Sequence, residues 1–97
     1  MLEESPEPFA ALRARSQSSL REFLSVDLEL AFTLLDTARI EAGHNPKRSR
    51  DILGKVETAL ATVRHLLSRI EDPQVSKEIE SRANELEHAL REALTSK

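Results

Sequence analysis

The chain has no cysteine, tryptophan or tyrosine, only two glycines and only three phenylalanines among its 97 residues. Without cysteine there is neither a disulfide frame nor a thiolate metal site, and a reducing compartment suffices. Two glycines, at 43 and 54, are too few for a phosphate-cradling loop. Aromatic stacking platforms for single-stranded nucleic acid are missing, because the phenylalanines all lie in the first third of the sequence. No apolar run approaches the roughly 18 residues of a membrane span. The first residues, Met1-Leu2-Glu3-Glu4-Ser5, are acidic and do not read as a secretory signal, so a cytoplasmic address is expected.

What remains is 39% hydrophobic and 32% charged, a balance that suits a single soluble domain with a modest core. Three apolar stripes organise it. Asn45-Pro46 opens the clearest one, since the asparagine can accept from a first-turn amide and a proline there sacrifices no hydrogen bond. Leu53, Val56, Leu60, Val63, Leu67 and Ile70 follow at alternating spacings of three and four, which form one face at about 100° per residue. Ile52, Ala59 and Leu66 widen that face enough to meet two neighbours. Gly54 falls within the stripe, and a close approach of backbone is the expected reason for it.

Asp72-Pro73 repeats the same start signal after a very short turn, and Val75, Ile79, Ala83, Leu86, Leu90 and Ala93 make a narrower seam. Glu78 with Arg82 and Glu87 with Arg91 are favourably spaced pairs on its wet side. Upstream, Ser19 and Glu22 have capping-box spacing, and Leu24, Leu28, Ala31, Leu35, Ala38 and Ala42 run to Gly43, a natural stop. The expected fold is therefore all-α: an antiparallel three-helix bundle over residues 19–97, with helices at about 20–42, 46–70 and 73–95. Residues 1–18 form an N-terminal, partly helical extension. Ser5-Pro6 offers it a start, and Ser16-Gln17-Ser18-Ser19 leaves two shapes open, a continuation of the first helix or a fold-back at the serines.

Net charge is −3, distributed unevenly. The first bundle helix carries two basic and five acidic residues, residues 46–71 carry six and three, and residues 72–97 carry four and six. A positive middle helix between two negative ones favours this packing through many screened contacts.

Glu41 with His44 and Glu85 with His88 have the Glu-x-x-His spacing of carboxylate-bridged metal bundles. Glu85 and His88 point away from the Leu86 seam, however, and His44 follows the helix stop, so both pairs, like His65, read as solvated; no metal or cofactor is expected. The serines at 16, 18, 19 and 25 have no histidine within local reach, and no carboxylate pair occupies a core face, so no enzyme is expected. Lys47, Arg48 and Arg50 cluster at the start of the middle helix and form a candidate anion-binding site for phosphate or nucleic acid, with Ser49 between them a candidate modification site.

The remaining anomaly is surplus apolar surface. Phe23, Val26 and Leu30 project roughly 100° or more from the first helix's main stripe, and Phe9 and Leu12 precede them in the extension. These five residues are the candidate interface for a protein partner or for self-association as a homo-oligomer, a dimer being the simplest.

The run Asp27-Leu-Glu-Leu-Ala-Phe-Thr-Leu-Leu-Asp-Thr-Ala-Arg39, with Lys47-Arg-Ser-Arg50 and Glu57-Thr-Ala-Leu-Ala-Thr-Val-Arg-His-Leu-Leu67, resembles short uncharacterised bacterial all-helical proteins that carry a tetratricopeptide-like hairpin. The resemblance covers residues 27 to about 94. Aligned on Pro73, the repeat pattern finds Ala61 at a small position but His65 and Ser68 where an aromatic and an alanine belong, and one hairpin is too short for a solenoid. It implies a helical interaction module and carries over no functional residue.

Overall fold

In the computed structural model, which describes residues 8–95, three helices follow one another: α1 (Pro8–Glu41), α2 (Pro46–Leu67) and α3 (Pro73–Thr95). They form an all-α three-helix bundle, with no strand among the described residues. Short turns reverse the chain twice, so α1 and α3 run alike and α2 runs against both. α1 packs against α2 most extensively.

The three stripes meet in one core. Leu24, Leu28, Ala31, Leu35 and Ala38 of α1 face Ile52, Leu53, Val56, Leu60 and Val63 of α2 and Val75, Ile79, Ala83, Leu86 and Leu90 of α3, all buried. Deep burial of a leucine or valine contributes about 1.5–3 kcal/mol, so these positions carry most of the stability. Ala42, expected to end the first stripe, is exposed, because the helix stops at Glu41 and the chain is already turning.

The helix starts obey their local chemistry. The Asn45 side chain accepts from the Arg48 amide at 3.2 Å, with Pro46 in the first helical position. Asp72 Oδ1 accepts from the Gln74 amide at 2.9 Å, again just before a proline. α2 closes at Leu67, and Arg69 and Ile70 donate to the Leu66 and Leu67 carbonyls in a tighter last turn that still buries Ile70. Gly43 adopts no positive φ; the α1–α2 turn is held instead by the His44 and Asn45 amides donating to the Glu41 carbonyl.

Three expectations need correction. First, Ser19 and Glu22 form no capping box: of the two shapes that the serines left open α1 takes the continuous one, a single helix of 34 residues running straight through Ser16-Gln17-Ser18-Ser19. The cause is Gln17. Its amide donates to the Arg69 carbonyl and accepts from the Glu71 amide, both at 2.8 Å, clamping α1 to the α2–α3 turn. Two such bonds, at about 0.5–1.5 kcal/mol each, offset a serine helix penalty of roughly 0.5 kcal/mol per residue. The Ser5-Pro6 start lies outside the described residues. Second, nothing lies within 4 Å of a Cβ built on Gly54, so no close backbone approach explains that glycine. Third, Ser49 is 5% exposed and its hydroxyl donates to the Ala38 carbonyl of α1 at 2.7 Å, which withdraws it from any modifying enzyme.

Candidate interaction face

α1 has two faces. One is the core stripe; the other is centred roughly 150° around the cylinder, and α2 and α3 leave it uncovered. Phe9, Leu12, Phe23, Val26 and Leu30, the five residues expected to form an interface, are 49–76% exposed there. Ile40, missed by the sequence reading, joins them at 66%.

These residues are linked by a regular spacing. Phe9, Leu12, Ser16, Ser19, Phe23, Val26, Leu30, Thr33, Thr37 and Ile40 alternate at three and four residues over nearly the whole helix. None of the ten is charged, and all but the half-buried Thr37 are exposed. A strict seven-residue repeat drifts by about 20° per heptad on a straight helix, so the strip winds left-handed around α1, as the seam of a coiled coil does. The signal was present in the sequence but is diluted by four hydroxyl residues, which hide it from a search for apolar positions alone.

The strip outruns the bundle. Gln17 marks the point where α1 passes the α2–α3 turn, and residues 9–16 beyond it are all exposed. Nine residues of helix from Pro8 to Ser16 project about 13 Å past that clamp. Asp27, half-buried between the strip and the core stripe, has its carboxyl pushed above the usual aspartate range by burial.

Lys47, Arg48 and Arg50 are exposed at the start of α2, but Asn45 takes up the amides of Arg48 and Ser49, Pro46 has none, and Arg48 Nε lies 3.8 Å from a Glu41 carboxylate oxygen. The helix terminus thus has fewer amides to offer an anion than the sequence suggests. His88 Nε2 lies 3.5 Å from Glu92, not in a pair with Glu85, while His44 and His65 are exposed. Among the described residues no three histidine or carboxylate side chains gather as a metal site would require. A groove of about 450 Å³ lies between the C-terminal ends of α1 and α3, with Arg39 and Glu92 as its only charged lining residues. The Ser49 hydroxyl on its wall is already committed to Ala38.

Between α2 and α3, Arg64 hydrogen-bonds Asn84 at 3.0 Å and pairs with Glu87, which also pairs with Arg91 at 2.6 Å. The bonds from Arg64 and Arg91 hold the Glu87 carboxyl below the usual glutamate range. This network is the local form of the expected attraction between the positive middle helix and its negative neighbour. Arg82 instead sits over the Phe32 ring, 5.8 Å from its centroid, tying α3 to α1 by a cation–π contact.

No helix among the described residues is long and apolar enough to cross a membrane. No protein-family profile, curated protein or solved structure matches this chain. The functional reading therefore rests on the geometry of α1.

Proposed function

We propose that this chain is a non-enzymatic, helical protein–protein interaction module that associates with itself through the outer face of α1. The observation that carries the reading is the uncharged heptad strip, exposed along the helix from Phe9 to Ile40. A single exposed leucine is ordinary, but large apolar side chains aligned in one strip mark an interaction surface. The overhang supports the same reading, because residues 9–16 are all exposed and lie beyond the Gln17 contact with the α2–α3 turn. A cytoplasmic address belongs to this proposal, consistent with a chain that needs no disulfide.

Light scattering over a dilution series provides the test. The intact chain is expected to move from monomer toward dimer as concentration rises, and Phe23→Glu with Leu30→Glu to stay monomeric with unchanged helicity by circular dichroism. Both positions point away from the core, so the bundle survives the substitutions. A wild-type chain that stays monomeric at high concentration would overturn the reading.

A further inference from the structure

We infer that the α1 strip is the seam of an antiparallel homodimer, with α1 of a second copy lying along it in the opposite direction. The inference rests on the self-association proposed above and adds the occupant, its direction and its register.

Direction follows from the charges that flank the strip. In the heptad register of the strip, Arg13 and Arg15 flank its N-terminal part, whereas Glu22, Asp27, Glu29 and Asp36 flank the rest. A parallel partner sets Glu22 beside Asp27 and Asp36 beside Glu41, carboxylate against carboxylate, and leaves Arg15 opposite Leu20. An antiparallel partner in the register given below sets Arg15 of each copy beside Asp36 of the other, at both ends at once, and leaves one like-charged contact, Glu22 beside Glu29, where the parallel arrangement has two and no attraction. Flanking charges of this kind decide orientation in coiled coils.

Register follows from polarity along the strip. Placing Phe23 against Val26 of the second copy sets Phe9 against Ile40 and Ser16 against Thr33, so apolar residues meet at the centre and at both ends and two hydroxyls meet between them, with Leu12 against Thr37 and Ser19 against Leu30 as the mixed pairs. Sliding by one heptad leaves Phe9 against Thr33 and Ser16 against Val26 and shortens the overlap. The chosen register also lays each overhang along the second copy's α1, which gives residues 9–16 the packing that their own bundle lacks.

The size is consistent with a reversible dimer. A strip about 47 Å long and about 10 Å wide covers roughly 500 Å² on each copy, near the roughly 1,000 Å² total that a specific interface needs. Self-complementarity about a two-fold axis closes the assembly at two copies.

The absence of native cysteine makes the test clean. Full-length chains carrying Ser16→Cys, Thr33→Cys or both are oxidised mildly, with sedimentation of the reduced wild type run alongside. The double variant is expected to form a covalent dimer, and each single variant is expected to remain unlinked. Efficient linkage of Ser16→Cys to itself shows a parallel seam and overturns the inference. A wild-type dimer whose variants link in no combination overturns the register. Charge variants check direction independently: Arg15→Glu and Asp36→Arg each weaken association roughly tenfold, and a mixture of the two regains it. If both variants associate alone as well as the wild type does, the antiparallel direction is wrong. Absence of any dimer in the reduced wild type sinks the self-association reading itself, a distinct result.

Discussion

Replacing Gly54 with alanine should make the bundle more stable. Gly54 sits in the interior of α2, has no positive φ, and faces open space where its Cβ would be, so the methyl group meets no obstacle. The gain then comes from the backbone: glycine costs about 0.8–1.0 kcal/mol relative to alanine in a helix interior, largely through the freedom of the unfolded chain. Thr58 donates its hydroxyl to the Gly54 carbonyl at 3.1 Å, a bond that the substitution leaves in place. For a domain of this size about 1 kcal/mol corresponds to a rise of roughly 4–8 °C in Tm, or about 0.3–1 M in the urea midpoint. The assay is urea unfolding followed by circular dichroism at one fixed protein concentration, with the Phe23→Glu, Leu30→Glu background measured in parallel so that association does not enter the comparison. An unchanged or lowered midpoint with an unchanged slope refutes the reasoning, because it requires a neighbour to occupy space that the structure leaves empty.

Other perturbations test the contacts that fix α1 in place. Gln17→Ala removes both bonds to the α2–α3 turn and should cost about 1–2 kcal/mol, with faster hydrogen exchange in residues 9–20; unchanged exchange there contradicts the clamp. Ser49→Glu forces a carboxylate into the α1–α2 contact and should destabilise by about 3 kcal/mol or more, whereas Ser49→Ala should cost only about 1 kcal/mol because the Ala38 carbonyl keeps its bond from the Ala42 amide at 2.9 Å; equal midpoints for the two variants would show the site to be open. Glu87, held below its ordinary range by Arg64 and Arg91, contributes stability that is present above the unfolded glutamate pKa of about 4.3 and is lost as pH falls through the lower folded value. Glu87→Gln should flatten the acid limb of the stability profile below about pH 4.5, and a profile parallel to the wild type would contradict the assignment.

The bundle was legible because its information is local. Three-four spacing picks out Leu24 to Ala38, Leu53 to Val63 and Val75 to Leu90, and Asn45-Pro46 and Asp72-Pro73 mark two helix starts through atoms only three residues apart. Continuity of α1 was legible as one of two shapes, but what fixes it was not, since the partners of Gln17 lie 52 and 54 residues away. Ser49 was half legible: it precedes Leu53 by four residues and so prolongs the buried stripe, but its basic neighbours suggest a wet surface. The role of Gly54 depends on the space around it, which spacing does not encode. The five apolar residues of the outer face were identifiable as surplus, whereas the seam that joins them required counting Ser16, Ser19, Thr33 and Thr37 as members of the same repeat.

Hydrogen–deuterium exchange of the wild-type chain at two protein concentrations, one well below and one well above the association midpoint, tests the central claim most directly. Residues 9–16 are all exposed in the isolated bundle, and their amides should exchange fast in the dilute sample. Covering of the α1 strip predicts slower exchange in that segment at the higher concentration, while the cores of α2 and α3 change much less. Equal exchange in residues 9–16 at both concentrations, or protection that appears on α3 and not on α1, would contradict the account.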